Sequence, residues 1–83
     1  MKTKYIRLNR FEKDVLFFIQ DRVKDPVKLS VNADIGKEDL NRILKKLEKL
    51  GLIKTKKLKK NFQVEITEKG QEFFDNKIRR FYY

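Results

Sequence analysis

Residues Leu40 to Ile66 read LNRILKKLEKLGLIKTKKLKKNFQVEI, and the period of their apolar residues changes once along the way. Leu40, Ile43, Leu44, Leu47 and Leu50 follow the i, i+3, i+4 spacing of one helical face. Gly51 stands where a left-handed helix C-cap belongs. After it Leu52 and Ile53 open a strand, and Phe62, Val64 and Ile66 alternate with Gln63 and Glu65 in a second. Between them IKTKKLKKNF, Ile53 to Phe62, sets five lysines around Leu58. Strands this close pair as a hairpin with their apolar residues on one face. Matching Ile53 to Ile66 and Thr55 to Val64 places Lys57 opposite Phe62 and leaves Leu58 to Asn61 as a four-residue loop. A three-residue loop would turn Lys54 and Lys56 toward the core, where an unpaired ammonium is costly. The lysines therefore belong to a folded hairpin and not to a tail.

Working outward, the long helix is expected over 37–50. Glu38 and Asp39 lie in its first turn and Lys49 in its last, each favourable to the helix dipole. Gly36 permits the turn before it. Asn9 and Glu12 have the spacing of an N-cap and its acidic N3 partner. That first helix is expected over 9–24, stopped because Asp25 precedes Pro26. Leu8, Phe11, Val15, Phe18, Ile19 and Val23 form its core side, with Leu16 at the edge and Phe17 pointing away. Pro26 to Leu29 is expected as a minor strand, and Ser30 as the cap of a brief helix over 30–35. Thr67 is expected to cap a last helix over 68–81, whose Phe73, Phe74, Ile78, Phe81 and Tyr82 make a broad aromatic side. The hairpin occupies 52–66, and 1–8 is a basic N-terminal arm. With 83 residues the chain is one domain, 1–83, with a small core.

Composition narrows the function. Hydrophobic residues at 40% exclude a wholly disordered chain, and 41% charged residues exclude a membrane-embedded one. The basic N-terminus is followed by no apolar run, so a cytoplasmic protein without a secretory signal is expected. The chain has no Cys and no His, so neither a metal centre nor a cofactor is expected. An enzyme is not expected either, because the carboxylates sit at helix starts and on exposed faces. The net charge is +10, and residues 37–60 carry ten basic against three acidic side chains. A lysine-rich surface alone explains abundance but not this clustering, which points to a polyanion.

Helix, short strand, short helix, turn, long helix and basic hairpin, closed by a helix, is an order that resembles the winged helix-turn-helix family. LNRILKKLEKLGLI, Leu40 to Ile53, resembles the second half of a recognition helix running into the first strand of a wing. VEITEKGQEF, Val64 to Phe73, resembles the second wing strand and the Thr-x-Lys-Gly start of the last helix. Regulators of the MarR, ArsR and PadR types, and small archaeal and archaeal-virus regulators, are similar. LSVNADIG departs from the family pattern by being shorter and more polar. The resemblance implies a small α+β winged-helix domain that binds double-stranded DNA and pairs as a homodimer.

The residues of the long helix agree with that implication. Its outward arc carries Lys37, Glu38, Asn41, Arg42, Lys45 and Lys49, with Lys46 at the flank. Arg42 suits a guanine and Asn41 an adenine, each by two hydrogen bonds. Lys45, Lys46 and Lys49 suit phosphates, which position without specifying. In the wing Lys54, Lys56, Lys57, Lys59, Lys60 and Asn61 are expected on the backbone or in the minor groove. Phe17, Phe73, Phe74, Ile78, Phe81 and Tyr82 are expected either to pack within the chain or to form the dimer interface. A sequence-specific transcriptional regulator is the leading function. An architectural or replication-associated DNA binder and a protein-interaction winged helix are the alternatives.

Overall fold

The computed structural model describes residues 6–83; residues 1–5 of the expected basic arm lie outside them. Asn9 accepts a hydrogen bond from the Glu12 N–H, and the Glu12 carboxylate accepts one from the Asn9 N–H, both at 2.9 Å. This capping box starts α1, Arg10–Gln20. The buried stripe of α1 is Glu12, Val15, Leu16 and Ile19. Leu16 thus takes the inner position and Phe11, expected in the core, is 51% exposed.

α1 ends earlier than the Asp25-Pro26 pair implies, because Arg22 turns into the left-handed region at φ 74°. The Arg22 N–H then donates to Ile19 and the Val23 N–H to Phe18, a closed C-terminal turn. The same closure recurs twice. Asp34 (φ 56°) ends α2, Pro26–Ala33, and Gly51 (φ 81°) follows α3, Lys37–Lys49. Each is succeeded by an apolar residue, Val23, Ile35 or Leu52, that turns back onto the core.

α2 corrects two expectations. Pro26 to Leu29 is not a strand, and the second helix begins at Pro26, not at Ser30. The Asp25 carboxylate accepts from the Val27 N–H at 3.0 Å, so Asp25 is the N-cap and Pro26 the first helical residue. Proline suits that position because its fixed φ is helical and its missing N–H has no partner to lose. The pair expected to stop the first helix instead starts the second, and Arg22 makes the stop. Ser30 lies inside α2, where its hydroxyl donates to the Ile35 carbonyl at 2.5 Å. The extended segment sits upstream, where the Lys24 carbonyl accepts from the Val64 N–H at 3.1 Å.

β1, Ile53–Lys57, and β2, Phe62–Ile66, pair antiparallel with Ile53 opposite Ile66, Thr55 opposite Val64 and Lys57 opposite Phe62. The Leu58 N–H donates to the Asn61 carbonyl at 2.8 Å and closes the loop. Together four helices and one hairpin make a small α+β domain. Thr67 caps α4, Glu68–Phe73, and the chain continues as a π-helical turn, Phe74–Ile78, and a 3-10 turn, Arg79–Phe81. The Thr67 hydroxyl donates to the Gly51 carbonyl at 2.6 Å and accepts from the Gly70 N–H at 2.9 Å. Its own N–H donates to the Leu52 carbonyl at 3.0 Å. A Cβ on Gly70 would stand 1.9 Å from that same carbonyl oxygen, so α4 meets the start of β1 backbone to backbone.

The core is filled from every helix and both strands, with Leu16, Leu29, Leu40, Leu47, Leu52, Val64, Phe74 and Ile78 almost wholly buried. Phe17 is half-buried and does not face solvent as a partner surface. Its ring stacks on Tyr82 with centroids 4.5 Å apart and planes at 9°, and it meets Phe18 edge-on at 5.2 Å. The Tyr82 hydroxyl donates to the Asp14 carboxylate. The C-terminal segment thus folds back onto α1, and of the six residues weighed for a dimer interface Phe17, Phe74, Ile78 and Tyr82 are engaged within the chain. Phe73 is half-buried, and Phe81 stays 57% exposed beneath the Lys13 ammonium.

Candidate nucleic-acid interface

α3 buries Leu40, Ile43, Leu44 and Leu47 and leaves Lys37, Glu38, Asn41, Arg42, Lys45 and Lys49 exposed. The spacing that packs the leucines inward also aims these side chains outward along one arc. Lys46 departs from its expected place among the phosphate contacts. Its ammonium reaches sideways to α1, 3.1 Å from both Glu12 carboxylate oxygens and 3.4 Å from the Arg7 carbonyl. The Glu12 side chain is 9% exposed, so its charge needs this partner, and Lys46 is a tie between the two helices.

Alternation along the hairpin divides the remaining lysines. Thr55 and Lys57 share the face turned toward α3, where the Thr55 hydroxyl donates to the Glu48 carboxylate at 3.1 Å. Asn41, Leu44, Lys45, Glu48, Thr55, Lys57 and Phe62 line the groove between helix and hairpin. Lys54 and Lys56 lie on the opposite face across from Glu65 and Gln63. Lys59, Lys60 and Asn61 are exposed at the tip. Glu65 is held by Lys24 at 3.4 Å.

Among the described residues, Arg42 and Lys46 are the only cations of this segment that meet a carboxylate. The others make no ion pair among the described residues, and their excess positive charge sets up a field that attracts a polyanion. The carboxylates Glu12, Asp39 and Glu48 were not legible as site residues in the sequence. Glu12 and Asp39 carry a local signal, their N3 position and the i, i+3 spacing to Arg42. Glu48 carries none, because its partner Thr55 lies beyond the turn at Gly51. In the C-terminal aromatic cluster the Tyr82 phenol is held well above its ordinary pKa, by burial first and then by its hydrogen bond to Asp14. Among the described residues there is no group of three potential metal ligands, and no helix is long and apolar enough to cross a membrane.

No family model and no curated protein matches the sequence. Solved structures do match. A variant of ZitR from Lactococcus lactis in complex with DNA is 19% identical, with a TM-score of 0.74, covering 83% of this chain and 49% of that one. ZitR is described as a zinc-responsive MarR family member. The transcriptional regulator BldR from Sulfolobus solfataricus is 23% identical with a TM-score of 0.76, over 88% of this chain and 56% of that one. A transcriptional regulator from Thermotoga maritima is 26% identical with a TM-score of 0.74, over 87% and 53%. The chain spans about half the length of the regulators it matches.

Proposed function

From a chain that carries the MarR-type winged helix-turn-helix fold, we propose a double-stranded DNA-binding transcriptional regulator that recognises a specific sequence. The observation that carries this reading is the shared groove of α3 and the hairpin, which turns Asn41, Lys45 and Lys57 to one side of the molecule. A helix of this diameter fits the major groove, with its N-terminal half at the base edges. In that pose Lys37, Lys45 and Lys49 hold phosphates. Lys57, Lys59, Lys60 and Asn61 extend the contact along the backbone or into the adjoining minor groove, and Lys54 and Lys56 add long-range attraction from the far face. Lys46 is left out, because Glu12 holds it.

The zinc response of ZitR is not carried over, since this chain has no His or Cys. Structures it resembles are described as transcriptional regulators, and the chain is read as a binding module, not an enzyme. Homodimerisation belongs to the proposal, carried by the exposed Phe81 and half-buried Phe73 and not by Phe17, Phe74, Ile78 or Tyr82, which pack within the chain. The binding test is fluorescence anisotropy with random and selected duplexes across 50–200 mM salt. With ~6–10 phosphates contacted, affinity falls roughly 10³–10⁵-fold over that range, and one duplex is strongly preferred. A steep salt dependence with no preference makes the protein an architectural binder. No binding at low salt removes DNA from the account, and the lysines then face an acidic protein.

A further inference from the structure

Both α1 and α3 carry an acidic residue three positions after the N-cap, and they use it differently. In α1 Glu12 closes the box with Asn9. In α3, counted from the N-cap Gly36, that residue is Asp39, yet the N-terminus has no side-chain cap hydrogen bond. The Asp39 carboxylate instead accepts from Arg42 Nη2 at 3.0 Å. Both side chains are exposed, 62% and 76%, so the pair adds little to stability. What it changes is the freedom of Arg42.

One N–H of the guanidinium meets Asp39, and the rest of the five-donor fork stays open. Asp39 and Arg42 both line the hollow beside Phe11, Ile35 and Gly36. By helical spacing from the buried Leu40, Ile43, Leu44 and Leu47, Asp39 falls at the flank of α3 and Arg42 nearer the middle of its exposed arc. The carboxylate therefore holds the fork from the side away from a ligand. A long side chain restrained before binding loses less entropy when it binds. Among the described residues Asn41 has no such support, and it lines the groove beside Lys45, Thr55 and Lys57.

Resting on the reading of α3 as the major-groove helix, we propose that Asp39 is a positioning residue for specificity: it orients Arg42 to bond a guanine through two hydrogen bonds, and Arg42 rather than Asn41 is the base reader. The carboxylate also disfavours a turn of α3 that would bring a phosphate against Asp39.

The test begins with a pool of random duplexes enriched on the intact wild-type chain. A guanine emerges, and replacing it with 7-deazaguanine or adenine weakens wild-type binding roughly 10- to 100-fold. Asp39→Ala loses most of that discrimination while binding random duplexes as tightly or more tightly, because a negative charge has gone. Asp39→Asn, which still accepts a hydrogen bond, keeps part of it. Arg42→Ala loses it, and the double variant loses no more. Full discrimination in Asp39→Ala, with loss in Arg42→Ala, overturns the role of Asp39 alone. Loss in Asn41→Ala with retention in Arg42→Ala overturns the choice of base reader. A wild-type chain that enriches no sequence overturns the regulator reading and this inference together.

Discussion

Two regions of the molecule treat their side chains in opposite ways. In the C-terminal aromatic cluster Phe17 stacks on Tyr82 and lies tilted against Phe74, and the Tyr82 hydroxyl is answered by Asp14. In the other region α3 and the hairpin hold lysines that, Lys46 apart, make no ion pair among the described residues. Aromatic surface is driven inward by solvent and finds its partners within the chain. Ammonium groups remain solvated and keep their charge for something outside. The difference teaches that a lone exposed-looking phenylalanine on a helical wheel is weak evidence for a partner, whereas clustered charge without compensation is stronger evidence.

The largest effect falls on the joint between α4 and the start of β1. Gly70→Ala would drive a Cβ into the Leu52 carbonyl at 1.9 Å, and backbone cannot swing aside. Urea denaturation is expected to show a loss of roughly 3 kcal/mol or more, enough to unfold much of so small a domain. A near-neutral result would break the claim that α4 is docked backbone to backbone.

Next comes the charged end. Replacing Lys57, Lys59 and Lys60 together by alanine is expected to leave the midpoint of denaturation almost unchanged. The slope of log affinity against log salt should fall by about 0.9 for each lysine that meets a phosphate. An unchanged slope would take the hairpin out of the interface.

Neighbouring lysines sharpen the comparison further. Lys46→Ala leaves the Glu12 carboxylate buried without its ion pair and is expected to cost ~2 kcal/mol in stability. Lys45→Ala is expected to cost less than ~0.5 kcal/mol in stability but to weaken DNA binding. If the two variants behave alike, the division of α3 into an inward tie and an outward contact is wrong.

The smallest effect is at Tyr82. Its pKa is raised in the folded chain, so the folded state holds the phenolic proton more tightly than the unfolded one. This contribution is whole below the unfolded value of about 10 and is lost as pH rises above it. Thermal melts at pH 9 and 11 should therefore converge for wild type and Tyr82→Phe at the higher pH, after a difference of ~1 kcal/mol or less at the lower. A gap that widens instead would contradict the Asp14 contact.

Much of this was written in periodicity. The apolar spacing of α3, the glycine at its end and the alternation of β2 determined the helix, the hairpin and its register, because burying one face permits only one parity of pairing. The clustering of lysine in residues 37–60 carried the expectation of a polyanionic partner. Local signals failed where one pair of residues admits two readings. Sequence order reads Asp25-Pro26 as the stop of α1, whereas Arg22 ends that helix and Asp25-Pro26 starts α2. Only the tertiary structure decided that Lys46 turns to Glu12, that Glu48 meets Thr55 and that Phe17 lies under Tyr82. Those choices depend on which helix lies across which, and a side chain at the flank of a helix has no preferred partner until another element is packed against it.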